Sequence, residues 1–209
     1  MTSDLSKTAI LLIDPYNDFL HEEGKMYPRL EESIKDSNTI AHIFDLIAAA
    51  RAHKIPIYYG LHQPSRAGNF DGWKHMMAVH SSQKENNVFE EGGFGGTIFK
   101  GMEPDLENGD VVVSKHWSSS SFQNTDLNYQ LRQREITKVV LAGLTTNHCV
   151  ESSARYAYDL GYKTTLLSDA TAAFSTEMKK AATEMIWPLF ASRVMTTDEF
   201  IATLGEPKK

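Results

Sequence analysis

Apolar and polar positions alternate in blocks along this chain. Short apolar runs, rich in β-branched residues, occupy 9–13, 55–59, 111–113, 139–142, 164–167 and 193–195. Continuous runs of this length suit strands buried on both faces, as in a parallel sheet. Between them the apolar spacing becomes helical. Across 31–52, Ile40, Phe44, Ile47 and Ala48 recur at intervals of three and four. Val150, Ala154, Ala157 and Tyr158 do the same, and Gly161 supplies a helix stop. Shorter helices are expected over 124–134 and 177–187, the latter ending before Pro188. This alternation predicts a three-layer α/β, Rossmann-like fold with a six-stranded, mostly parallel sheet flanked by helices.

One stretch breaks the rhythm. Residues 60–100 contain seven glycines and no clear strand. Such insertions commonly serve as functional loops, lids or subunit contacts. No repeat, low-complexity tract or linker interrupts the 209 residues, so one domain spanning 1–209 is expected.

Composition narrows the function classes. A net charge of -6 argues against nucleic acid or an anionic membrane as partner. No run approaches the length of a membrane-spanning helix. The first long apolar run, 9–13, stops at Asp14, so no secretory segment is expected. A lone cysteine forms no internal disulfide. A cytoplasmic enzyme or binding protein that acts on a small molecule is the expectation.

In open parallel sheets, ligands bind beyond the carboxyl ends of the strands. The ionisable residues that follow the apolar runs are Asp14, His62, Lys115, Cys149 and Asp169. Cys149 falls at the predicted start of a helix over 149–160. Free backbone N–H groups and the helix dipole lower a thiol pKa there. The same turn offers N–H groups to a developing oxyanion. From position alone, a buried inert cysteine fits equally well. His148 stands beside it, but neighbours at a helix start usually point apart, which makes His148 a packing or pocket-rim residue. Asp14, at a buried strand end, needs a partner or a raised pKa, and either suits acid–base work. A turn aspartate within the sequence DPYN is the alternative. Lys115 is a possible partner for Asp14 or for a thiolate. Asp169 competes with Asp14 for the carboxylate role.

Taken together, these segments resemble the isochorismatase-like cysteine hydrolase superfamily. The pieces that carry the resemblance are AILLID at 9–14 with Asp18 and Phe19, KHWS at 115–118, Phe122 with TDL at 125–127, GLTTNHCVESSAR at 143–155, and SDA at 168–170. Their order and spacing agree over nearly the whole chain. The resemblance implies an Asp14–Lys115–Cys149 triad, with Asp169 reduced to a structural role. It also implies a non-proline cis peptide between Leu144 and Thr145 that aims the Thr145 N–H, with that of Cys149, at an oxyanion. The implied reaction is thiol-dependent hydrolysis of a small amide, carbamoyl or ureido C–N bond through a thioester, without a cofactor.

Two departures bear on this expectation. Metal-binding members carry an Asp-x-His pattern after the second strand, where this chain reads Gly60-Leu61-His62, and His75 and His80 follow at a spacing unlike a standard site. No metal is therefore expected. Isochorismatases proper commonly lack the cysteine, so its presence favours C–N hydrolysis over cleavage of the isochorismate vinyl ether. That cleavage is the first alternative, and a non-catalytic scaffold or binding member of the fold is the second. Phe19, Trp117, Leu144 and His148 are the expected substrate-binding residues, with Phe122 either in the pocket or in the core. A homo-oligomer, dimer or tetramer, is expected for this superfamily.

Overall fold

A computed structural model of the protein describes residues 5–206. Six strands form one sheet: β1 (Thr8–Ile13), β2 (Ile57–Gly60), β3 (Val111–Val112), β4 (Lys138–Leu144), β5 (Lys163–Ala172) and β6 (Arg193–Met195). Their order is β3-β2-β1-β4-β5-β6, and every neighbouring pair is parallel. The expected strands are all present, in a sheet that is wholly rather than mostly parallel.

β1 shows why an uninterrupted apolar run is needed. Successive side chains point to opposite faces of a strand. Ile10 and Leu12 join one core, whereas Ala9, Leu11 and Ile13 join the other. The chain also forms α1 (Asn17–Leu20), α2 (Tyr27–Asp36), α3 (Thr39–Ala52), α4 (Ala78–Asn86), α5 (Leu127–Gln133), α6 (Glu151–Asp159), α7 (Thr176–Lys180) and α8 (Thr197–Ala202). Leu30, Ile34, Ile43, Leu46, Ile47 and Phe200 from α2, α3 and α8 close the first core. Leu127, Leu131, Ala154 and Ala157 from α5 and α6 close the second. Among the described residues, no helix is long and apolar enough to cross a membrane.

The structure corrects five expected elements. The helix expected over 31–52 is two, divided at Asn38, which adopts a left-handed φ of 48°. Ser37 Oγ donates to the Ser33 carbonyl at 2.8 Å and occupies the acceptor at that end. The helical segment around Cys149 opens with a π turn, Thr146–Val150, ahead of α6. The helix expected over 177–187 likewise passes from α7 into a π turn, Ala181–Ile186. The irregular 60–100 segment contains α4, whose sequence AVHSSQKEN has no apolar stripe; its buried residues are His80 and Gln83. β5, finally, runs to Ala172 through a register shift against β4, so Asp169 lies within a strand and not beyond its end.

This strand order places the topological switch between β1 and β4. A ligand crevice forms there because successive connections leave the sheet in opposite directions. The two strands approach closely at Gly143, whose φ is +113° and where an added Cβ would lie 2.0 Å from the Ile13 carbonyl oxygen. Asp14 follows β1 and Thr145 follows β4, at the two lips of the crevice.

Candidate active site

Asp14 is buried and holds a φ of 48°, an uncommon conformation for a residue with a side chain. Its N–H donates to the Gly60 carbonyl at 2.9 Å, and its own carbonyl accepts from Tyr16 at 2.7 Å. The kinked backbone turns the carboxylate inward. Oδ1 accepts the backbone N–H of His62 at 2.7 Å and lies 3.2 Å from Nε2 of His116. Oδ2 is buried without a formed hydrogen bond, so acceptor capacity remains at that oxygen.

Cys149 sits in the π turn after the Leu144–Thr145 peptide, which is cis. Its thiol is buried, and its pKa is raised well above the ordinary value: burial contributes most, then the Asp14 charge, while the Thr145 N–H acts in the opposite direction. This corrects the expectation of a helix-lowered thiol pKa. The helix end favours a thiolate, but desolvation and a nearby anion outweigh it. Burial and the Asp14 charge favour the neutral thiol over the thiolate.

His148 departs from expectation as well. Its Nδ1 lies 3.5 Å from Cys149 Sγ, because the π turn brings the ring back over its neighbour. Burial lowers the His148 pKa first, Asp14 raises it, and His116 lowers it, with a net decrease. A neutral imidazole near neutral pH is the consequence.

These groups line a cavity of about 400 Å³. Phe19, Met26, Val88, Phe89 and Phe174 supply apolar walls, and Arg29, Asn147, Ser82 and Gln83 supply polar ones. The 60–100 segment therefore builds a wall of the cavity through α4 and Phe89. Asp18 anchors that wall: its carboxylate accepts the N–H groups of Lys25 at 3.0 Å and Phe89 at 2.6 Å. Gly95 packs so tightly on this carboxylate that an added Cβ would come within 2.1 Å of Oδ1. Among the described residues, Arg29 is the only Lys or Arg side chain in the lining, and its guanidinium stacks over Phe174 at 4.3 Å.

Of the expected site residues, Asp14, Thr145, Cys149, His148 and Phe19 meet at this cavity, and Lys115, Trp117 and Leu144 do not line it. Lys115 is half-buried. Burial and Arg66 lower its pKa, and Glu91 opposes them. Its place beside Asp14 is taken by His116, the next residue. In extended chain, neighbouring side chains face opposite ways, and strand-like pairing of His62 with His116 sets which one turns inward. Trp117 packs on Trp73 with ring centres 5.4 Å apart, and its carbonyl contacts His80 Nε2 at 2.9 Å. Leu144 is fully buried in the first core, and Phe122 belongs to the second. Asp169 accepts from the Thr197 N–H and hydroxyl at 2.8 and 2.7 Å, holding the start of α8.

His62 packs against His116 with ring centres 5.0 Å apart. Burial, followed by the His116 charge, pushes its pKa down to about 4. Among the described residues, no group of three or more His, Cys, Asp or Glu side chains is arranged to hold a metal ion. Sequence reasoning missed Arg29, Asn147 and His116. The available signal for His116 was its place after β3 matching that of His62 after β2.

Comparison with known proteins shows the family and the fold. YrdC of Bacillus subtilis (strain 168), an uncharacterized isochorismatase family protein, is 41% identical over 103 residues, or 49% of this chain and 54% of YrdC. The chain thus aligns with about half the length of that relative. The ureidoacrylate amidohydrolase RutB of Rhizobium rhizogenes is 28% identical, with 96% of this chain and 85% of RutB covered. The crystal structure of a cysteine hydrolase from Pseudomonas syringae pv. phaseolicola 1448A superposes with a TM-score of 0.79 at 23% identity, covering 98% of this chain and 95% of that one. The isochorismatase domain model matches residues 8–199, and the chain belongs to the isochorismatase family.

Proposed function

We propose that this protein hydrolyses the C–N bond of a small ureido, carbamoyl or amide compound that also carries a carboxylate. The observation that carries the reading is the environment of one sulfur atom. Cys149 lines the cavity, and the Asp14 charge and the Thr145 N–H both act on its thiol. Arg29 supplies a cation to the same cavity. The similarity to RutB, whose named substrate is a ureido acid, supports the same substrate class.

Asp14 receives the thiol proton as sulfur attacks the carbonyl carbon. The N–H groups of Thr145 and Cys149 stabilise the tetrahedral oxyanion. Asp14 then passes the proton to the leaving nitrogen, the C–N bond breaks and an acyl group remains on sulfur as a thioester. Water adds to that carbon and gives a proton to Asp14. The C–S bond breaks, and Asp14 returns the proton to the thiolate. The proximity of His148 to the sulfur favours a second reading of the proton step only, with Nδ1 as acceptor.

An ammonia-release screen of ureido and carbamoyl acids, beside their neutral amide analogues, tests the reading. Acidic substrates are expected to turn over and to lose at least about 10³-fold in Cys149→Ala, since the covalent route is removed. Undiminished hydrolysis by Cys149→Ala, or pyruvate release from isochorismate independent of the thiol, sinks it.

A further inference from the structure

Within the reaction just proposed, we infer that His116, not Lys115, is the cation of this site, and that its imidazolium holds the Asp14 carboxylate in position to take the Cys149 proton. The inference rests on the two oxygen atoms that face the ring nitrogens, one through a hydrogen bond and one at ion-pair distance. Nδ1 lies 2.7 Å from the Ser118 carbonyl oxygen, and Nε2 lies 3.2 Å from Oδ1 of Asp14. Both neighbours are acceptors. A neutral imidazole has one N–H and one lone pair, so one of its nitrogens would face an acceptor with no proton. Only the doubly protonated ring presents an N–H toward both oxygens; the Nε2–Oδ1 contact is an ion pair at 3.2 Å and not a formed hydrogen bond. Both side chains are 1% exposed, so water does not screen the pair.

The surroundings fit this assignment. Burial lowers the His116 pKa first, but the Asp14 carboxylate and the Ser118 carbonyl together outweigh it, leaving the pKa above the ordinary value. His62, from the end of β2, presents an Nε2 with no hydrogen-bond partner and stays neutral, adding no competing charge. His148 and Cys149 face the same carboxylate from the turn after β4, and both are uncharged near neutral pH. Lys115 is adjacent in sequence, but its charge environment is that of Arg66 and Glu91. The imidazolium therefore offsets the Asp14 charge that would otherwise oppose formation of the Cys149 thiolate. His116 acts through Asp14 and is a positioning residue. Loss of its proton at alkaline pH removes that compensation, so activity should fall with it.

The test has two arms. In long-range ¹H–¹⁵N spectra of the imidazole nitrogens, assigned with His116→Gln, the wild-type His116 ring is expected to remain doubly protonated above pH 6.5. Its titration should move down by at least about one pH unit in Asp14→Asn. A His116 ring neutral at pH 6–7, or one titrating identically in both proteins, overturns the inference even if no substrate is found. In the second arm, kcat/KM should fall at least tenfold in His116→Gln. It should recover in His116→Lys, with the alkaline limb displaced upward by at least one pH unit. Lys115→Ala should change it less than threefold. Loss of activity in Lys115→Ala with His116→Gln unaffected also overturns the inference. Failure of Cys149→Ala to reduce turnover refutes the hydrolase reading instead, and leaves the spectroscopic arm to decide the protonation of His116.

Discussion

Nδ1 of His148 stands 3.5 Å from Sγ of Cys149, although the two residues are neighbours in sequence. A regular helical turn separates adjacent side chains by about 100°, which is why they rarely meet. The π turn from Thr146 to Val150 widens the backbone and permits the contact. Asp14 and His148, two groups able to accept a proton, thus line one cavity with this thiol.

Substitution separates them. Asp14→Asn removes the charge that helps raise the Cys149 pKa, so the thiol should ionise at lower pH while turnover falls by about 10²–10⁴-fold. His148→Gln should cost less than about tenfold. Cys149 is the only cysteine in the chain, so thiolate absorbance near 240 nm reports this site alone. Equal losses of turnover in the two variants would make His148 the base.

Arg29 should govern affinity and leave the chemical step alone. A charged hydrogen bond to a carboxylate contributes about 1.5–3 kcal/mol, so Arg29→Met should raise KM for an acidic substrate by roughly 10–100-fold. The KM for its neutral amide analogue should hardly move. Initial-rate kinetics on the paired substrates decide the point, and a parallel loss on both would assign Arg29 to packing on Phe174.

Acid should destabilise the fold through His62. Its folded pKa is about 4, below the ordinary 6.5, so the unfolded chain binds the extra proton between those values. Stability therefore falls as pH drops from 6.5 toward 4, by about 3 kcal/mol from this residue. His116, whose folded pKa is raised, has the opposite sign: its stabilisation is present at low pH and is lost as pH rises through the folded value. Urea midpoints at pH 7 and pH 5 should show a decrease that is smaller in His62→Gln. An unchanged slope would remove His62 as its source.

Gly143→Ala should be severe for a site without side-chain chemistry. The new Cβ would lie 2.0 Å from the Ile13 carbonyl oxygen at a φ of +113°. The loss should exceed about 2 kcal/mol, read as a lower denaturant midpoint with an unchanged slope. A midpoint equal to that of the wild type would mean that β1 and β4 part easily at the crevice.

The strands and the main sheet-covering helices could be read from one dimension because their causes are local. A strand buried on both faces must be apolar throughout, as β1 is, and helices must repeat their apolar residues at three and four. The same logic placed Asp14 and Cys149 at the mouth of the sheet. α4 escaped because its sequence shows no apolar stripe, and Asn38 divided a continuous helical pattern by turning left-handed. The identity of the residue facing Asp14 is of another kind. Lys115 and His116 are adjacent, and only the pairing of His116 with His62 across the sheet sets which side chain turns inward. The ionisation of Cys149 is non-local for the same reason. The helix end that favours a thiolate is contained in the sequence pattern, whereas burial and the Asp14 charge arise only when distant segments are packed together.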